Sequence, residues 1–545
     1  MAPREGRSPA EREEAFRRFR DGDLEGARQL CAKLCRADPG DAEVWLLYGL
    51  CHRGLGHGEE ATRCLQRAVE ANPIDPDCRA ALGRVLIDQQ RAGAAAAAFR
   101  EGIRLLSTHE DSHLGLATAL LMAGRYREAV AATEAAEAAG VASGELFAQR
   151  ATACERLHRL AAARAAAERA LTLDPGQPRA AFTLAQVEAR LGEVAAARAR
   201  LEGLVATRLP PFRRAAVTAE LGKLLDRAGE YEAAFAAFTA ANRAMASTFD
   251  PRRVDVDAIF KQIDQSRAWF TAERVAGWRG DEPADDTPSP VFLVGFPRSG
   301  TTLTEQLLAS VGGVVVSDEQ AILDRLLADA PGLLKRRQVP YPDWLADLTP
   351  TDLAWLRLHY WKLAEEMVAP VAEGVTFVDK LPLNLLQLGA VHRLFPRAKV
   401  VFVVRDPRDC CLSCYMRAFV PNQAMVNFLD LERTARFYGA AMELGAHYRA
   451  VLPLDGVEVR YEALVADLEG GARRLLDFLG LPWDEAVLRF HERAGERDVT
   501  TPSYAAVASP IDRTAVGRWR HYQQQLAPIL PTLAPYVEAF GYPAG

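Results

Sequence analysis

The sequence predicts a multidomain chain, with an all-α helical array in its first half and an α/β domain with a mainly parallel sheet in its second. Three observations predict it. A pattern with a period of 34 residues recurs through most of the first 247 residues. The stretch Val291–Ser310, VFLVGFPRSGTTLTEQLLAS, reads as strand, glycine turn and helix. Beyond it, further strand-like runs alternate with helical ones. At 545 residues the chain is too long for one core. With 49% hydrophobic and 25% charged residues it has the composition of a folded globular protein. A net charge of −6 argues against a general nucleic-acid binder. The N-terminal residues form no apolar targeting segment, and no run of about 18 apolar residues exists, so neither a secretory signal nor a membrane span is expected. Nine scattered cysteines read as reduced thiols, and a cytoplasmic location is the expectation.

The array comes first. Its clearest copy has Trp45, Tyr48, Gly49, Ala61, Leu65, Ala68 and Pro73. A shift of 34 residues finds Gly83, Ala95 and Phe99, and further shifts find Ala129, Ala163 and Ala197. Six copies start near residues 8, 42, 76, 110, 144 and 178, and a seventh, offset by three residues, has Gly222, Ala234 and Phe238. The small residues at fixed positions let paired helices approach closely. This pattern, over residues 8–247, resembles the tetratricopeptide repeat, which implies a superhelix that binds a protein or peptide, or that braces its neighbour. Residues 248–290, ending in the acidic, proline-rich GDEPADDTPSP, are the expected linker before a domain spanning 291–545.

In the organising stretch, Val291–Val294 is the expected strand and Thr301–Ala309 the helix. Between them, backbone N–H groups and a positive helix end converge on a volume of phosphate size. The spacing Gly295-x4-Gly300 is that of a P-loop, but Thr301 stands at the lysine position, followed by Thr302. Arg298, beside Ser299 and Gly300, offers a guanidinium fork instead. Three further strands are expected at Thr376–Val378, Lys399–Val404 and Gly456–Arg460. Ligands of such sheets sit beyond the carboxyl ends of the strands, which points to Asp379-Lys380, Arg405-Asp406 and Tyr461-Glu462. Asp406 can cap the next helix, with Pro407 at its first position. A Walker-B strand would end in a metal-binding carboxylate; Arg405 at that place suits a second anion, with Ser413 about two turns along the helix.

The two motifs, GFPRSGTT and VVRDPRDCCLSCY, resemble the 5′-phosphosulfate and 3′-phosphate motifs of the PAPS-dependent sulfotransferases. With the repeats in front, the chain resembles a tetratricopeptide-repeat sulfotransferase, its second half similar to the protein-tyrosine sulfotransferases. The resemblance implies PAPS as sulfuryl donor, held by Arg298, Ser299, Gly300, Thr301, Thr302, Arg405 and Ser413. It implies Glu319, 21 residues after the loop arginine, as general base, and Lys380 as the cation reaching toward the sulfuryl group. It also implies Tyr461 near the nucleotide, and Ser503 and Arg518 closing over it. No metal is required. The implied acceptor is a hydroxyl, such as a tyrosine on a protein or peptide presented by the repeats. Self-association into a homo-oligomer is compatible with these readings.

Competing readings stand beside these. A P-loop kinase would need ATP and Mg²⁺, against Thr301 at the lysine position. A nucleotide-binding scaffold without turnover is the other alternative. His359, His392, His447, His491 and His521 are rival bases without a motif. Cys410, Cys411 and Cys414 lack the spacing of a four-ligand metal set, so buried packing is expected.

Overall fold

Fourteen helices between Pro9 and Ala246 form seven helix–turn–helix pairs in the computed structural model, which describes residues 9–249, 254–278, 286–336, 339–491 and 513–544. The first helices of the first six pairs begin at Pro9, Ala42, Pro76, Glu110, Gly144 and Pro178, following the 34-residue period. Asp41 and Asp75 cap their helices through side-chain oxygens, and Pro76 and Pro178 occupy first-turn positions where no N–H is needed. Ala27, Ala61, Ala95, Ala129, Ala163 and Ala197, one per copy, are each at most 1% exposed. The helices approach so closely that a methyl group on Gly83 would lie 2.6 Å from the Phe99 ring. The seventh pair has a first helix of 17 residues, Pro211–Arg227, where the sixth has 13; it starts one residue earlier than the period predicts, so its four extra residues leave the three-residue offset.

The chain forms two compact units, residues 1–204 and 205–545. The first contains the six regular pairs. The seventh pair belongs to the second unit, because Leu225, Ala234 and Phe238 enter the core that also holds Phe292, Phe402 and Trp519. Part of the expected linker does the same. Residues 258–269 and 272–276 are helical, and Ile259, Phe260, Ile263, Trp269, Phe270 and Val275 are buried in that core. These helices are polar in sequence but place their apolar residues on one face, so they pack instead of tethering.

The sheet of the second unit consists of β1 (Val291–Gly295), β2 (Val314–Val316), β3 (Thr376–Lys380), β4 (Lys399–Val404) and β5 (Asp455–Arg460). Their order is β2-β3-β1-β4-β5, and every neighbouring pair is parallel. β2, a three-residue strand directly after Gly312 and Gly313, is the strand that the sequence reading did not anticipate. β1 is central, and Phe292, Leu293 and Val294 are fully buried, as a parallel strand covered on both faces requires. Phe292 and Val294 face one core, Val291 and Leu293 the other. From β1 the chain moves outward to β2, returns to β3 and then crosses β1 to β4. The strand order therefore reverses at β1, where open α/β sheets place their ligands. Among the described residues, no helix is long and apolar enough to cross a membrane.

Candidate functional site

The phosphate loop forms as its residues demand. The Ser299 N–H donates to the Phe296 carbonyl at 3.1 Å and closes the turn. Arg298 and Gly300 both take left-handed backbone, at φ 71° and 110°, and Gly300 is the N-cap of the helix Thr301–Ala309. Gly300 is also a steric requirement, since a Cβ there would stand 2.6 Å from Tyr461 Cδ2. Thr301 and Thr302 are buried in the helix's first turn. The Ser299 hydroxyl is buried without a hydrogen-bond partner, a donor in reserve for an anion.

Beside this loop lies a basic cluster. Arg405 ends β4, and Asp406 caps the helix Pro407–Tyr415 while pairing with Arg408 at 2.8 Å. Ser413 on that helix accepts a hydrogen bond from Arg298 Nε at 3.1 Å. Arg405 Nη1 donates to the Arg298 carbonyl at 3.1 Å, and its guanidinium lies 4.8 Å from the Tyr461 ring centre. Burial pulls the Arg298 pKa down, and the neighbouring Arg405 pulls the same way. Burial acts on Arg405 likewise and most strongly, but Asp409, 3.8 Å away, together with Cys410, Tyr461 and Glu462 more than offsets it. Two desolvated guanidiniums, a hydroxyl and a helix start thus surround one place, which an anion with two phosphate-like groups would neutralise.

An acid–lysine cluster occupies the ends of β2 and β3. Lys380 is fully buried, with Nζ 2.7 Å from Glu319 Oε1 and 2.9 Å from Glu305 Oε2. Burial opposes its charge, yet the two carboxylates raise its pKa overall. Asp318 and Glu319 are left-handed, at φ 48° and 62°, a conformation unusual for such residues. The Glu319 N–H donates to the Lys380 carbonyl at 3.0 Å, and the Asp318 N–H to Glu305 Oε1 at 3.1 Å. Glu319 keeps 30% of its side chain exposed, whereas Glu305 has none. Burial pushes the Glu305 carboxyl up to about 7, with Lys380 partly opposing it. Asp379 next door, bonded by Tyr360 Oη at 2.7 Å and Asn384 Nδ2 at 3.2 Å, is also raised by burial to about 7.

The structure therefore brings Arg298, Ser299, Gly300, Thr301, Thr302, Arg405, Ser413 and Tyr461 together, and sets Lys380 beside Glu319. Arg518 is instead engaged by Asp226 of the seventh helical pair, which also accepts from Tyr522 Oη at 2.5 Å. Ser503 lies outside the described residues. Three of the rival histidines have ordinary partners: His447 bonds the Phe270 carbonyl at 2.7 Å, His521 stacks on Tyr231, and His359 lies 3.5 Å from Asp329, whereas His392 Nδ1 is buried without a hydrogen-bond partner. Cys410, Cys411 and Cys414 are buried thiols, the last donating to the Pro297 carbonyl at 3.3 Å. Sequence reasoning missed Glu305. Its signal was a glutamate one turn after Thr301 in a helix otherwise lined by Leu303, Leu307 and Leu308.

Residues 290–485 match the Sulfotransferase family. The second unit contains a sulfotransferase-family domain. Residues 18–85 and 114–178 match tetratricopeptide repeat families. An uncharacterized protein of Aquifex aeolicus is 28% identical over 326 residues, covering 60% of this chain and 42% of that protein. Protein-tyrosine sulfotransferase A of Caenorhabditis elegans is 25% identical over 272 residues, 48% of this chain and 70% of its own length. Human protein-tyrosine sulfotransferase 1 is 28% identical over 261 residues, 45% of this chain and 68% of its own. The chain thus spans less than half of the Aquifex relative and about seven-tenths of the two tyrosine sulfotransferases. Both motifs of the basic cluster and the whole acid–lysine cluster fall inside the matched sulfotransferase segment.

Proposed function

We propose that the sulfotransferase domain moves a sulfuryl group from PAPS to an acceptor hydroxyl, and that the acceptor is a tyrosine on a protein or peptide. The observation that carries the reading is the 3.1 Å hydrogen bond from Arg298 to Ser413, which joins two motifs 115 residues apart into one anion site. The residues fit the donor, because the buried Ser299 hydroxyl has no hydrogen-bond partner and lies beside two adjacent guanidiniums whose charge complements anionic groups. PAPS supplies the sulfuryl group on its 5′-phosphate and a second anion at its 3′-phosphate. Ser299, Thr301, Thr302 and the loop N–H groups are assigned to the 5′ side, and Arg405 and Ser413 to the 3′-phosphate. Tyr461 is assigned to pack at the nucleotide. Arg298 and Lys380 stabilise the charge that develops on oxygen during transfer, which is electrostatic catalysis. Glu319, the partly exposed carboxylate beside Lys380, takes the acceptor proton, a step worth roughly 10²–10⁴-fold. A phenol, with a pKa of about 10, yields that proton more readily than an alkyl alcohol.

For the repeats we propose two roles. The seventh pair braces the nucleotide site, since Thr239 bonds Tyr415 Oη and Asn242 bonds the Tyr415 carbonyl, each at 2.9 Å, at the end of the Ser413 helix. The six regular pairs recruit the protein acceptor. Nine free, buried thiols favour a reducing compartment, and we assign the protein to the cytoplasm.

Calorimetry with adenosine 3′,5′-bisphosphate, without metal, tests the reading against ATP with Mg²⁺. Selective bisphosphate binding that is lost in Arg298→Ala is the expected result. Preference for ATP with Mg²⁺ would overturn it in favour of a kinase. Bisphosphate binding without transfer to any tyrosine peptide would leave a nucleotide-binding scaffold.

A further inference from the structure

Lys380 has two carboxylate partners where charge balance requires one. Glu305 and Glu319 approach the same Nζ from the loop helix and from the segment after β2, at 2.9 and 2.7 Å. The two carboxylates differ in access: Glu305 and Lys380 are fully buried, while Glu319 is 30% exposed. If Glu319 were the only partner, taking up a proton would leave a buried ammonium with no counter-charge. That uncompensated charge is the costliest state a buried pair can reach, and it would oppose the proton transfer itself. Glu305 removes the penalty, because the lysine keeps one carboxylate while the other is neutralised. Glu305 also holds the Asp318 N–H at 3.1 Å, directly before Glu319, and so supports the left-handed turn that aims Glu319.

We propose that Glu305 is a positioning residue of the transfer reaction: it anchors Lys380 and the Asp318 backbone so that Glu319 can release the lysine and accept the acceptor's proton. The inference rests on the sulfotransferase reading above and adds a residue to it. The proton passes from the acceptor oxygen to a Glu319 carboxylate oxygen and leaves through that residue's exposed side to solvent. Glu305 touches neither acceptor nor donor and exchanges no bond.

The test is Glu305→Gln, which keeps the size of the side chain and an oxygen for the Asp318 N–H but removes the charge. The charged groups around Glu305 are Lys380 on β3 and Asp318 and Glu319 after β2, and Arg298 of the loop also faces Glu319. Removing the Glu305 charge leaves Glu319 as sole partner of Lys380, which makes it a weaker base. With full-length protein, labelled PAPS and a tyrosine peptide, kcat is expected to fall ~30-fold or more with KM for PAPS within ~3-fold. The acid limb of the kcat–pH profile is expected to move to lower pH. Glu305→Asp, which restores the charge, is expected to return the limb to its wild-type position. An unchanged kcat and limb in Glu305→Gln would overturn the proposal. So would a kcat loss that only parallels lost bisphosphate binding and lowered Tm, or failure of both variants to fold. If Glu305→Gln alone fails to fold, the limb position in Glu305→Asp decides: the wild-type position supports the proposal and a displaced limb overturns it. Wild-type protein that neither binds the bisphosphate nor transfers sulfuryl would instead sink the underlying reading, a separate outcome read before any variant is made.

Discussion

The carboxyl edge of the sheet has two sides built on opposite principles. At the ends of β1 and β4, Arg298 and Arg405 lie side by side, and burial together with Arg405 lowers the Arg298 pKa. At the ends of β2 and β3, Glu305 and Glu319 share one lysine, Lys380, within 3 Å. The first side is arranged to receive charge from outside, and the second to redistribute charge it already holds. That difference separates binding from chemistry: a substitution of Arg405 should act on nucleotide affinity, one of Arg298 on affinity and turnover together, and one at the acid–lysine side on stability and turnover.

The sharpest way to break this comparison is Lys380→Ala. It would leave Glu305 and Glu319 facing each other, one of them fully buried, and should cost roughly 3–5 kcal/mol of unfolding free energy. Denaturant unfolding checks it, and a loss below ~1 kcal/mol would mean that the lysine is not a charge anchor. Gly300→Ala follows. It adds a Cβ 2.6 Å from Tyr461 on left-handed backbone, so a loss of ~1–2 kcal/mol with weaker bisphosphate binding is expected. Unchanged binding would place the loop further from the ligand than the account requires.

A pH series sharpens the acidic side. Asp379 has a folded pKa of about 7 against 3.8 in a free chain, so the folded state holds a proton that the unfolded state has lost. This contribution to stability is complete below pH ~4, declines as pH rises toward 7, and is constant above. Tm is therefore expected to fall between pH 5 and 7, and Asp379→Asn to flatten part of that slope. Glu305, Asp324 and Asp409, raised in the same direction by burial, add to the same fall. A Tm that rises across the same window would contradict the assignment. The smallest effect belongs to the array: Arg125→Ala, which breaks an exposed pair with Glu128, should change stability by less than ~0.5 kcal/mol.

The two sides also differ in how plainly the sequence announces them. The basic side lies within two short motifs, and local rules fix it: Gly300 caps a helix, Asp406 caps another, and strand ends place Arg405 and Tyr461. The acid–lysine side is assembled by tertiary contact. Glu305 looks like any helical glutamate until burial and Lys380 are seen, and β2, which leads to Glu319, is too short for periodicity to signal. The array was legible to its helix starts, because a repeated period averages out local ambiguity. The packing of the helices at 258–276 was not legible, since their polar composition conceals Ile259, Phe260, Ile263 and Trp269, whose burial depends on the domain they pack against. Arg518 shows the same limit: its motif points to nucleotide, but the folded chain gives it to Asp226.

The most direct test of the central claim is the affinity of the protein for adenosine 3′,5′-bisphosphate compared with adenosine 5′-monophosphate. The basic cluster predicts that the 3′-phosphate tightens binding ~100-fold through charge-assisted bonds, and that Arg405→Ala abolishes the difference. Equal affinities in the wild-type protein, or a difference that survives Arg405→Ala, would contradict the account.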